Sequence, residues 1–333
     1  MTRECCRLRT IATSGALIAG LALSGTADAA EKFVYGLSWL PQAEHCGFFQ
    51  AKARGLYDAV GLDVELFPGA PGLNMPQLVS AGRVDAGMGS ALTTLNMRAN
   101  KIDGVTIAAF FQQSPQTLVA HADPVLQKLE DLKTRKIAVA NFSRTTFWVW
   151  LKATYGFDDS QLRPYTYSPS AFVADKSMVQ QGYITEDEFF LGKTVGVTPK
   201  SFLLADYGYP DYATTVFTMA SVIDKRRDAL VRFMDASTKG WRECMSGNPQ
   251  PAFELLRAMN PEQSFALSAF KIEQIKKHAL IDGGDAAKLG MGAMTHERWK
   301  AVFDLMSSGG VYAKDLDYRS AYSLEFANKN PGR

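Results

Sequence analysis

Phe33-Val34-Tyr35-Gly36-Leu37-Ser38-Trp39-Leu40-Pro41-Gln42-Ala43-Glu44-His45-Cys46-Gly47-Phe48-Phe49 decides the fold. Phe33 to Leu37 reads as a buried strand, and Glu44 to Ala59 reads as a helix stopped by Gly61. Leu62, Val64 and Leu66 then alternate with Asp63 and Glu65, the pattern of a half-buried strand. Further on, the expected elements are a helix over Asn74 to Ala81, a strand over Ala86 to Gly89, a helix over Leu92 to Asn100 and a strand over Val105 to Phe111. Strands alternating with helices in this way imply an α/β lobe with a mostly parallel sheet.

A second run starts near Gln116. Thr117 to His121, Lys136 to Ala140 and Phe202 to Ala205 read as strands; Thr145 to Tyr155 and Lys176 to Gln181 read as helices. After Thr218 the pattern is helical, over Lys225 to Met245, Pro251 to Met259, Gln263 to Leu280 and His296 to Ser307. The chain is therefore expected to form two α/β lobes: lobe 1 from 30–114 and 217–333, lobe 2 from 115–216. Crossovers would run near Phe111–Thr117 and Tyr212–Phe217, with the C-terminal helices packed back on lobe 1. Open α/β sheets bind ligands beyond the carboxyl ends of their strands, so two facing lobes define a cleft that closes by hinge motion.

Composition fits a globular chain, 47% hydrophobic and 21% charged in 333 residues. Arg3, Arg7 and Arg9 precede an uncharged run of about 15 residues, Ile11 to Gly25, followed by Ala27-Asp28-Ala29, the layout of a secretory signal peptide cleaved near Ala29. The run is shorter than the roughly 20 residues a membrane span needs. Cleavage removes three basic and two acidic residues, so a net charge of +2 becomes +1, and no nucleic-acid partner is expected. Cys46 and Cys244 then remain; without geometry, two separate thiols are favoured over a bridge.

Three loops are the candidates for ligand contact. The first holds Trp39, a flat stacking surface, with Gln42 and His45 as hydrogen-bonding groups. The same residues also suit a core tryptophan and a histidine at a helix start. Ser90 follows Gly87-Met88-Gly89 at the start of a helix, where backbone N–H groups are unpaired. Asn141, Ser143 and Thr145 form the matching loop of lobe 2; they serve either as helix caps or as donors to a ligand. Tyr183, Thr185 and Asp187 form the third loop, with Gln113 added from the first crossover. A carboxylate at Asp187 would suit a ligand bearing N–H donors and disfavour a bare anion; a solvated acidic turn is the plainer reading.

Trp39-x-Pro41-(x)3-His45-x-Gly47, followed by Ala51-(x)3-Gly55-x-Tyr57-(x)3-Gly61-Leu62-x-Val64, resembles the thiamine-pyrimidine-synthase-like family of solute-binding proteins, which is related to binding proteins for nitrate, sulfonates and taurine. Gly82-Arg83-Val84-Asp85-Ala86-Gly87, Asp131-Leu132-Lys133-(x)2-Lys136-Ile137-Ala138-Val139 and Gln180-Gln181-Gly182-Tyr183-Ile184-Thr185 are also similar, and the likeness runs from about residue 33 to 330. Gln42 stands where pyrimidine-binding members often carry Asn. Asp187 and Glu188 stand where relatives show Glu and Pro. The resemblance implies a two-lobed Venus flytrap fold, a periplasmic location, a small-molecule solute and an ABC permease in the inner membrane as partner. A monomer is expected. The ligand expected is a small nitrogen heteroaromatic such as a thiamine-precursor pyrimidine, with a sulfonate- or nitrate-type anion as the alternative.

An enzyme is not expected. The fungal thiamine-pyrimidine synthases of this resemblance carry a cysteine-rich iron motif, and two cysteines 198 positions apart cannot supply one. The histidines stand scattered at 45, 121, 278 and 296, so no metal or cofactor is expected either.

Overall fold

The structure is a computed structural model describing residues 1–2 and 29–327; the proposed signal peptide lies almost wholly outside the described residues. Two five-stranded sheets organise the chain. In the first, β1 (Glu31–Gly36) pairs in parallel with β2 (Leu62–Phe67) and β3 (Ala86–Gly89). Leu62, Val64 and Leu66 are buried and their acidic neighbours exposed, as alternation requires. β4 (Gly104–Phe111), buried along its whole length, forms one edge of this sheet.

The chain then crosses in four residues to β5 (Gln116–His121) of the second sheet. There β6 (Ile137–Val139) pairs in parallel with β7 (Leu162–Pro164) and β8 (Val179–Tyr183). β5 lies antiparallel between β8 and β9 (Pro199–Leu203). The return strand β10 (Ala213–Met219) inserts antiparallel between β3 and β4. Each sheet is therefore mixed rather than mostly parallel, because the strand next to each crossover sits inside the sheet it enters, running against its neighbours.

Helices α1 (Cys46–Ala53), α2 (Met75–Ser80) and α3 (Ala91–Ala99) flank the first sheet, and the short α4 (Phe147–Trp150) and α5 (Ser170–Ala174) the second. The helix expected over Thr145 to Tyr155 forms from Phe147, after Thr146 breaks the backbone at φ −122° and ψ −109°, and continues as a π-helix over Leu151–Tyr155. The helix expected over Lys176 to Gln181 is absent, because Val179 to Gln181 belong to β8. Neighbouring strands satisfy their backbone, and Gln180 and Gln181 are buried despite their polarity.

After β10 come α6 (Ala220–Ser246), α7 (Gln250–Met259), α8 (Phe265–Lys277), α9 (Ala286–Leu289) and α10 (His296–Ser308). α1 crosses α6 at a contact that only glycines permit. A Cβ on Gly240 would lie 2.2 Å from the Gly47 carbonyl oxygen, and one on Gly47 2.0 Å from the Trp241 ring. Beside this crossing Cys46 and Cys244 form a disulfide with Cα atoms 6.2 Å apart, which corrects the expectation of separate thiols. Phe33, Tyr35, Phe48, Phe233 and Trp241 pack in the same core.

α10 packs against both lobes. Its Trp299, Val302, Phe303 and Met306 join the core that contains Trp148, Trp150 and Leu151 of lobe 2, and the same core holds Ala91, Leu92 and Leu95 of α3. Among the described residues, no helix is long and apolar enough to cross a membrane.

Candidate interlobe ligand site

Trp39 lies just past the end of β1 on a loop tied down from two sides. Its carbonyl accepts from Gly69 N at 3.1 Å, and the carbonyl of Pro41 accepts from Asn260 Nδ2 at 2.9 Å. The Trp39 ring is half-buried and faces Tyr167 of lobe 2, with centroids 5.1 Å apart and planes tilted by 41°. Tyr167 is half-exposed, and its ring lies 5.3 Å from that of Tyr165. An aromatic pair thus spans the two lobes; the residue opposite Trp39 is Tyr167. Tyr183, at the end of β8, remains 41% exposed. Desolvation, with Glu44 of lobe 1 and Asp211 of the second crossover, pushes its phenol up to about 12. Tyr183 thus stands at the lobe 2 surface, near carboxylates of lobe 1 and of the second crossover.

Gln42, Glu44 and His45 meet a cation that sequence reasoning missed. The Lys271 ammonium on α8 is fully buried and donates to Gln42 Oε1 at 3.2 Å, Glu44 Oε2 at 3.2 Å and Glu186 Oε2 at 3.0 Å. Burial disfavours its charge, but the two carboxylates prevail and its pKa is raised. Thr185 of lobe 2 donates to Glu44 Oε1 at 2.6 Å. Gln42 and Thr185, expected as ligand contacts, thus hold groups of the protein itself; Gln42 keeps its amide N–H2 for other partners, because the ammonium requires the carbonyl end. His45 is buried, its Nδ1 makes no hydrogen bond, and desolvation with the nearby Lys271 charge pushes its pKa down to about 3. The imidazole is therefore neutral at physiological pH.

Two further buried carboxyls are satisfied internally. Asp187, expected to face a ligand, accepts from Thr117 Oγ1 at 2.6 Å, Tyr183 N at 3.0 Å and Ser201 Oγ at 3.2 Å, all in lobe 2. Asp187 thereby ties β5, β8 and β9 together. Asp211, unnoticed in the sequence, sits on the N-terminus of α3. It accepts from Ala91 N at 3.1 Å and also bonds Ser90, Leu92 N and Tyr209. The α3 donors offered to a ligand at Ser90 are thus taken by a carboxylate of the second crossover. Desolvation pushes both Asp187 and Asp211 up to about 7.

In the lobe 2 loop, neither Ser143 nor Thr145 caps a helix. Thr145 Oγ1 donates to the Phe142 carbonyl at 3.0 Å, Ser143 is buried, and Asn141 and Phe142 are exposed. Arg144 in this loop has a buried Nε with no hydrogen-bond partner. Gln113 belongs to the hinge, its amide donating to the His278 carbonyl at 2.8 Å. Tyr167, Glu44, Lys271, Glu186 and Asp211 had no readable signal, since each acts through a partner more than a hundred positions away or, for Glu186, 85. Among the described residues no cluster of His, Cys, Asp and Glu could hold a metal ion.

Residues 42–252 match the family model described as NMT1/THI5 like. The chain belongs to the NMT1/THI5-like family. Within reach of this family, it is 20% identical to the riboflavin-binding protein RibY of Chloroflexus aurantiacus, over 89% of this chain and 86% of that protein. It is 24% identical to a 4-amino-5-hydroxymethyl-2-methylpyrimidine phosphate synthase of Saccharomyces cerevisiae, over 49% of this chain and 45% of that enzyme. Its fold is similar to that of the periplasmic aliphatic sulphonate binding protein SsuA from Escherichia coli, with a TM-score of 0.63 at 14% identity, covering 87% of this chain and 91% of that one. The NMT1/THI5-like chain thus has the two-lobed periplasmic-binding-protein fold.

Proposed function

We propose that this protein is the exported solute-binding component of an ABC importer and that its cleft takes a small, flat nitrogen heteroaromatic bearing N–H donors. The observation that carries the reading is the Trp39–Tyr167 pair, one ring from each lobe. A planar ligand stacked against this touching pair gains aromatic contact from both lobes at once, so binding favours closure. Gln42, His45, Asn141, Ser143 and Tyr183 would supply polar contacts. The open acceptor is the Glu186 carboxylate, since Glu44, Asp187 and Asp211 are held by groups of the chain itself.

The same electrostatics oppose a bare anion. Lys271 has spent its donors, and the α3 N-terminus carries a carboxylate. Binding rather than catalysis is supported by His45: an imidazole held at about 3 is a poor general base near neutrality. The riboflavin-binding relative favours a heteroaromatic ligand; likeness of fold to the ligand binding component of an ABC-type import system from Staphylococcus aureus supports delivery to a membrane permease.

One observation favours the anion reading, namely the unpartnered Arg144 Nε in the lobe 2 loop. Mass spectrometry of the small molecules released when the purified protein is denatured separates the two. A pyrimidine, flavin or purine is expected. A sulfonate as the sole released solute would transfer the site to Arg144.

A further inference from the structure

We propose that Lys271 is the closure latch of the cleft, a positioning residue that joins the lobes through contacts internal to the chain and does not itself touch the solute. An ammonium has three N–H donors. Those of Lys271 are all spent, on Gln42 and Glu44 of lobe 1 and on Glu186 of lobe 2. With its side chain fully buried, it has no open face toward a ligand.

The neighbouring residue on α8 reaches the same segment of lobe 2. Phe270 packs on Phe189 with ring centroids 5.5 Å apart, and the Lys193 ammonium lies 5.0 Å from the Phe189 ring and 5.6 Å from the Phe270 ring. Thr185 adds its hydroxyl to Glu44. Four contacts thus bind α8 and the Glu44 loop to residues 185–193. Lys271 lies seven residues before His278, whose carbonyl holds Gln113 at the hinge, so α8 spans from hinge to latch over about 10 Å.

The two carboxylates differ in how they part from the cation. The Glu44 side chain is 5% exposed and stays beside Lys271 in lobe 1, whereas that of Glu186 is 40% exposed and regains water easily. Opening therefore breaks at Lys271–Glu186. Removing the cation leaves Glu44 and Glu186 facing each other unneutralised, which drives the lobes apart harder than removing Glu186 alone. Closure thus has a component that no ligand supplies, and the solute adds to a bias already present.

The proposal rests on the interlobe cleft but on no particular solute, so it is tested without one. Small-angle scattering is recorded on protein dialysed free of small molecules, with circular dichroism confirming the fold. Wild type should be compact, Glu186→Gln measurably expanded and Lys271→Met the most expanded. Adding Glu186→Gln to Lys271→Met removes the repulsion and should draw the particle part-way back. Thr185→Val, which removes one hydrogen bond and no charge, should expand it least. Identical profiles for all variants, a wild type as expanded as Lys271→Met, or a double variant no more compact than Lys271→Met would each overturn the latch. A released solute of the wrong class would overturn the ligand reading and leave these profiles unaffected.

Discussion

The two seams that join the lobes are made of different bonds. At the crossovers, Arg298 of α10 donates to the carbonyls of Pro210 and Gln112, one from each crossing segment, and lies over the Tyr212 ring at 5.1 Å. Gln112 donates to the carbonyls of Ala109 and Ala293 and accepts from Ala286 N, and the Tyr212 hydroxyl bonds Asp285 and Thr295 N. At the other seam, Lys271, Glu44, Glu186 and Thr185 meet side chain to side chain. Backbone carbonyls buried at the hinge find no substitute partner when pulled away, so that seam bends without parting. Charged side chains at the latch can exchange each other for water, so that seam is where the molecule opens.

The largest effect should come from breaking the stronger seam. Arg298→Ala removes two charge-assisted hydrogen bonds and a ring contact, and urea unfolding should show a loss of about 3 kcal/mol. A loss under about 0.5 kcal/mol would mean that the crossovers are held without it.

A pH-dependent effect tests the carboxyls satisfied within the fold. Asp211 and Asp187 hold protons more tightly folded, at about 7, than unfolded, near the ordinary value of 3.8. Their contribution to stability is therefore full below about pH 4 and is lost as pH rises through 7. His45, lowered to about 3, works in the opposite sense, losing stability as pH falls from its ordinary range toward 3. Asp211→Asn removes one descending contribution and leaves His45 unchanged. Between pH 4 and 7 the melting temperature of this variant should fall less with rising pH than that of wild type; parallel curves would show that Asp211 titrates as an ordinary carboxylate.

What could be read from the chain followed local periodicity. Alternation at Leu62, Val64 and Leu66, and the strand–turn–helix run through Trp39, give the first lobe because each signal lies within one element. The α/β order and two-lobed fold class followed from them. β8 escaped because Gln180 and Gln181 are buried polar residues whose burial depends on strands far away in sequence. Lys271 reads as a polar position on an amphipathic helix; only the fold brings Glu44 and Glu186 to it. Asp187 looked available because nothing local shows that Thr117 and Ser201 already hold it. The disulfide likewise depends on the α1–α6 crossing, which spacing alone does not reveal.

The central claim is that an aromatic pair from both lobes grips a donor-bearing heterocycle. Its most direct test is an equilibrium titration of wild type and Trp39→Ala with riboflavin, 4-amino-5-hydroxymethyl-2-methylpyrimidine, ethanesulfonate and nitrate. At least one of the two heterocycles should bind wild type and lose about tenfold or more in affinity with Trp39→Ala, while neither anion binds. Binding of the anions alone, with equal affinity in both proteins, would contradict the account.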